Sequence, residues 1–163
     1  MKIIFSFLFA LVLAGCGGPV TSSSETAPEL TEAHHCGYGF YAGDADQNWA
    51  LKVTFDDFEA AYAGEIPEHS DLSSDTWSAK LEGGEDLFAN WCDDVLEPGE
   101  PTPEVSEVWE VSGDIEVTDL PDPGACGPAT ASLSGLEAHN DSGDVIPLGD
   151  FDVENEFWGC FAG

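Results

Sequence analysis

Asp44-x-Asp46-x-Asn48 sets two carboxylates and an amide at alternate positions of a polar stretch, the spacing with which oxygen ligands converge on calcium. With Asp56 and Asp57 a few residues on, Asp44, Asp46, Asn48 and Asp56 make up the expected ligand set of a calcium site in a strand connection. It is not an EF-hand: Trp49 stands where that loop needs its turn glycine, and Phe55 where it needs a bidentate acid. The simpler expectation for the same residues is an Asp/Asn turn, whose side chains bond the local backbone. A second acidic set, Asn140, Asp141 and Asp144 with Asp150 and Asp152, reads the same way, because Asn-Asp-Ser-Gly is what a tight hairpin requires.

Other chemistry finds less support. His34 and His35 are adjacent, so on a strand they point to opposite faces and do not share a metal; His69 and His139 are isolated in sequence. Nucleophile elbow, metalloprotease and phosphate-loop motifs are absent, and no pair among the many carboxylates stands out as a glycosidase pair. There is no arginine, so a bidentate grip on a carboxylate or phosphate substrate is not available. The reading is of a protein that is not an enzyme. Among five tryptophans, Trp77 beside a polar loop is the candidate for an exposed platform that stacks on sugars, although aromatics that fill a small core explain it more simply.

The remaining reactive side chains are cysteines. Cys36, Cys92, Cys126 and Cys160 are even in number and free of C-x-x-C spacing, which points to two disulfides in an oxidising compartment and away from zinc or thiol redox chemistry. Three connectivities are possible. The expected one joins Cys36 to Cys160, closing the two ends of the folded region on each other, and Cys92 to Cys126.

The fifth cysteine has a different setting. Lys2 precedes a run from Ile3 to Ala14 that is apolar apart from Ser6, the layout of an export signal and too short to cross a bilayer as a helix. The run closes on Leu13-Ala14-Gly15-Cys16, which resembles the lipobox of bacterial lipoproteins. The resemblance covers residues 1–16. It implies cleavage before Cys16, a diacylglyceryl thioether and an N-acyl group on that residue, and attachment of the mature chain to the cell envelope. Several acyl chains hold far more firmly than one, at ~0.8 kcal/mol per buried methylene. Gly17 in place of aspartate resembles cargo sorted to the outer membrane where the host has one; otherwise the outer face of the cell membrane is the expected place.

The elements that must position these residues follow from periodicity. Residues 16–32 read as the lipidated cysteine and a flexible tether of ~20 Å mean span. A single acidic β-domain occupies 33–163. Trp49, Leu51, Val53 and Phe55 alternate with small or polar residues as a half-buried strand, hairpinned to a strand at His34–Tyr41 through the 43–48 turn. Asp56 to Gly64 reads as one or two helical turns. Strands are expected at 76–82, 105–111, 115–118, 129–138, 144–148 and 151–155, with Ser112-Gly113-Asp114 as a hairpin turn. Leu87 to Val95 fits a helix or a bulged strand. The pattern predicts a mainly β fold, an antiparallel immunoglobulin-like sandwich or, as the alternative, a small barrel.

Charge bounds the partners. Without residues 1–15, two lysines face 33 acids, a net charge of −31. Such a surface repels nucleic acid and anionic lipid, and the spread of the acids along the chain suits a solvated, salt-tolerant face. The expected function is a lipid-anchored envelope protein with a non-catalytic binding or structural surface role. It meets the membrane through Cys16, and its other expected partners are an envelope protein, a cationic ligand or a sugar. The main reading calls for no cofactor; a calcium-dependent ligand-binding or adhesion module is the alternative, and calcium is its expected cofactor.

Overall fold

The computed structural model describes residues 26–93 and 98–160; the expected signal segment, Cys16, most of the expected tether and Val95 lie outside them. The fold is mainly β and antiparallel. Its elements are β1 (Glu32–His34), β2 (Gly39–Gly43), β3 (Trp49–Phe55), α1 (Phe58–Ala63), β4 (His69–Asp71), β5 (Trp77–Glu85), β6 (Glu104–Asp119), β7 (Gly127–His139) and β8 (Val145–Trp158). All eight strands belong to one sheet in the order β1-β2-β3-β5-β6-β7-β8, with β4 paired to β6 beyond the end of β5. The sheet curls into a nearly closed barrel, within the sandwich-or-barrel class that the strand pattern calls for. Among the described residues no helix is long and apolar enough to cross a membrane.

The inner face is built by alternation. Leu51, Val53 and Phe55 on β3 are buried against Phe40, Trp77, Leu81, Trp109, Ile115, Leu133 and Trp158. Asp57 caps α1 by accepting the Ala60 N–H at 3.0 Å, and Gly64 ends it in the left-handed conformation, so the short helix forms where its caps place it.

Three long strands bend at glycine. The sequence marks Ser112-Gly113-Asp114 as a hairpin turn and divides 144–155 into two strands, but β6 and β8 run straight through both points. Gly113 on β6 and Gly149 on β8 take positive φ, as does Gly135 on β7 between them. The ladders shift register beside all three. A bulge and a tight turn ask for the same residues, and here the strand continues because its partners on either side continue. The bulges lie side by side across three strands, where they let the sheet curl.

At the β5–β6 ladder a different glycine is required by space. A Cβ on Gly84 would collide with the Glu104 carbonyl, beside a register shift between Gly83 and Gly84. Gly84→Ala is expected to cost about 2 kcal/mol, read as a lower urea midpoint at unchanged slope.

The disulfides join Cys36 to Cys92 and Cys126 to Cys160, which corrects the pairing expected from sequence. Cys36 and Cys160 are indeed neighbours, but backbone holds them: Gly37 N–H donates to Cys160 O, and Gly159 N–H to Gly37 O, both at 3.1 Å. Each cysteine then reaches outward. Gly127 pairs with Trp158 at the end of the β7–β8 ladder, which brings Cys126 within 5.0 Å of Cys160 between Cα atoms. Residues 86–92, expected as helix or strand, are turns that fold back over the outer face of β2 and β3. Leu87 and Phe88 there bury against Tyr41 and Ala50, and this brings Cys92 to Cys36.

Candidate functional site

The acidic sets separate in space. The Asp44 carboxylate accepts the Trp49 N–H at 2.8 Å, and the Asp44 carbonyl accepts the Gln47 N–H at 3.0 Å, so Asp44 closes the β2–β3 hairpin. Asp46 and Asn48 are exposed at its tip. Asp56 accepts the Ser78 hydroxyl at the far end of β3. Seven residues of strand stand between, about 20 Å at the usual rise. The structure therefore does not bring Asp56 to Asp44, Asp46 and Asn48, and the four-ligand set expected from sequence is corrected to a turn of three.

In the second set Asn140, Asp144, Asp150 and Asp152 each have a local task, and Asp141 is exposed at the turn. The Asn140 oxygen accepts the Ser142 and Asp144 N–H groups at 3.0 and 2.9 Å, while its amide donates to Asp144. Asp150 accepts the Gly135 N–H at 2.6 Å, and Asp152 accepts the Ser132 hydroxyl at 2.6 Å. These are the bonds of hairpins and bulges.

The histidines also part. The His35 Nδ1 accepts the Glu156 N–H at 3.1 Å, and His139 lies 3.1 Å from the Ser112 hydroxyl. His69 stands directly opposite Glu116 on the β4–β6 ladder; with Glu68 they offer three donor atoms within 4.8 Å of one another, all exposed. Sequence reading missed this group because only the strand register brings residue 116 beside 69. His34 stacks flat on Phe88 at 3.4 Å between ring centres. Burial, and then the neighbouring His35, hold its pKa below the ordinary value against an opposing pull from Glu32. The unfolded chain therefore takes up a proton first as pH falls, and stability is lost from about pH 6.5 downward. Relative to His34→Gln, the wild type is expected to lose stability between about pH 7 and pH 5, as read from paired urea titrations.

Trp77 does not present a sugar platform. It is 1 % exposed, with its ring 5.0 Å from Phe55 and 6.3 Å from Phe40 between centroids. Its place beside a polar loop was misleading because β5 begins at Trp77 itself, with the side chain on the inner face. The exposed aromatics are instead Phe58 and Tyr62 on α1, and Phe157 near the end of β8.

A cavity of about 490 Å³ runs along the seam where β1 meets β8. Its lining mixes apolar Leu30, Ala42, Phe151 and Val153 with Glu32, Asp152 and Glu154, and with the Thr118 and Thr130 hydroxyls, 2.8 Å apart. The volume is that of an ordinary ligand cleft, and its charge is entirely negative. Such a cleft suits a cationic or hydroxyl-bearing guest. The seam exists because, among the described residues, hydrogen bonds tie the first and last strands at one end. There Asn155, fully buried, donates to Cys36 O, Gly37 O and Gly39 O at 3.2, 3.2 and 2.8 Å. A second cavity of about 410 Å³ lies by residues 72–79. Nearby Asp71 is held low by the Ser73 hydroxyl and N–H, the opposite of what a general acid needs.

No protein-family model, curated protein or solved structure matches this chain.

Proposed function

We propose that the chain is a lipid-anchored protein of the cell envelope, a single acidic β-domain held by acyl chains on Cys16 and acting by binding rather than by catalysis. The observation that carries the reading is the division of the cysteines. Four of the five are paired with each other within the domain, and the fifth, Cys16, is the residue at the cleavage position of the lipobox-like segment. Two disulfides agree with export to an oxidising compartment. The negative seam and the wide excess of acids favour a cationic or hydroxyl-rich partner met at the surface, an envelope protein or a sugar polymer among them. In a host with an outer membrane, the domain resides there; otherwise it sits on the outer face of the cell membrane.

Export of the wild type and of Cys16→Ser, followed by fractionation, tests the anchor. The wild type is expected in the membrane fraction and the variant in the soluble fraction, with both disulfides intact in each. Equal partition of the two would remove the lipid from the account.

A further inference from the structure

The first half of β6 stands beyond its neighbours. On one side, residues 104–110 pair with β5; on the other, β7 reaches only as far as the His139–Glu110 pair. From Glu104 to Trp109 the strand therefore has one edge with no ladder among the described residues. Both faces of this overhang are open as well: Glu104 to Val108 are all exposed, Val105 at 47 % and Val108 at 45 %. Alternate N–H and C=O groups along such an edge seek another extended backbone, which is how sheets recruit strands.

Charge decides which backbone. Both lysines of the domain are already engaged, Lys52 with Glu82 at 2.6 Å and Lys80 with Glu110 at 3.7 Å. Glu104 and Glu107 have no cation beside them among the described residues, so a second copy of this chain, also near −31, would meet like charge along the whole edge. We infer that residues 104–109 of β6 form a strand-addition site for an extended, lysine- or arginine-bearing segment of a partner protein, whose apolar residues cover Val105 and Val108 and whose cations face Glu104 and Glu107. The inference rests on the binding role proposed above and names its place and partner chemistry.

The test uses the exported mature chain carrying Cys16→Ser, with its disulfides formed, in about 0.15 M NaCl. Val105 and Glu107 lie on one face of the strand, and Glu104 and Val108 on the other, so the matching antiparallel segment repeats Thr-Val-Lys. Three capped hexapeptides serve as probes: (Thr-Val-Lys)2, (Thr-Pro-Lys)2 with the same charge and no capacity to form a strand, and (Thr-Val-Glu)2. The (Thr-Val-Lys)2 peptide is expected to bind at least about tenfold more tightly than either of the others. Amide hydrogen exchange should slow upon binding within residues 104–109. Glu104→Lys, and Glu107→Gln, which keeps an oxygen to accept the Trp109 Nε1–H, should each weaken (Thr-Val-Lys)2 binding about two- to threefold, with unfolding midpoints that show the fold intact. Equal binding of (Thr-Val-Lys)2 and (Thr-Pro-Lys)2 would reduce the site to charge adsorption. Protection along the β1–β8 seam instead, protection of 104–109 through self-association without peptide, or no binding at all would each overturn the inference. None of these outcomes bears on membrane retention through Cys16, which is read separately.

Discussion

Asn155→Leu is expected to destabilise the domain by about 3 to 4 kcal/mol. The side chain is fully buried, and its amide serves the carbonyls at the entry to β2 while its oxygen accepts the Phe157 N–H at 2.9 Å. Leucine fills a similar volume but serves none of them. Each buried polar group left without a partner costs about 1 to 3 kcal/mol, which outweighs what the added apolar surface contributes. The location magnifies the effect, since among the described residues no ladder joins the two ends of the sheet. Asn155→Asp probes the same point differently: at neutral pH its carboxylate faces carbonyl oxygens and donates nothing, so part of its loss should be recovered as pH falls into the carboxyl range. Urea titrations at two pH values check both. A loss below about 1 kcal/mol for the leucine variant would show that the Gly37–Cys160 backbone bonds and the disulfides hold the seam by themselves.

Removal of the disulfides is the second large effect. The bridges close segments of 56 and 34 residues that do not overlap, and the chain-entropy model gives about 4 kcal/mol to each. Together they match the whole stability of an ordinary domain. Either Cys-to-Ala pair, Cys36/Cys92 or Cys126/Cys160, is therefore expected to leave a folded but weakened protein, and the two combined an unfolded chain in dilute salt. Self-repulsion at a net charge of −30 makes the margin narrower still, so concentrated NaCl should partly restore the combined variant. Circular dichroism of the four proteins in low and high salt reads this directly. A native spectrum for the combined variant in dilute salt would mean that the barrel core holds alone.

Much of this fold can be read in the sequence where one local rule acts alone. Strict alternation from Trp49 to Phe55 marks β3, and Asp57 with Gly64 delimits α1, because burial of one face and satisfaction of helix ends are local requirements. An even set of cysteines outside a lipobox-like segment signals two bridges. What failed depends on neighbours. Gly113 and Gly149 look like turn residues until the partner strands show them to be bulges, and Cys36 and Cys160 lie side by side yet bond elsewhere. Asp56 is eight residues from Asn48 in sequence, but an extended strand turns those residues into distance. Trp77 seemed exposed because it borders a polar loop, whereas the pleat sends it inward. The edge of β6 left without a ladder among the described residues has no sequence mark at all: it is the difference between where β5 and β7 stop.

Membrane attachment turns on Cys16, and the intact mass of the wild-type protein extracted from membranes after export in a bacterial host tests it most directly. The prediction is a chain that begins at residue 16, carries the added mass of a diacylglyceryl group and an amide-linked acyl chain on that residue, and shows the mass deficit of two disulfides. A water-soluble chain cleaved elsewhere, or one with an unmodified thiol at Cys16, would contradict it.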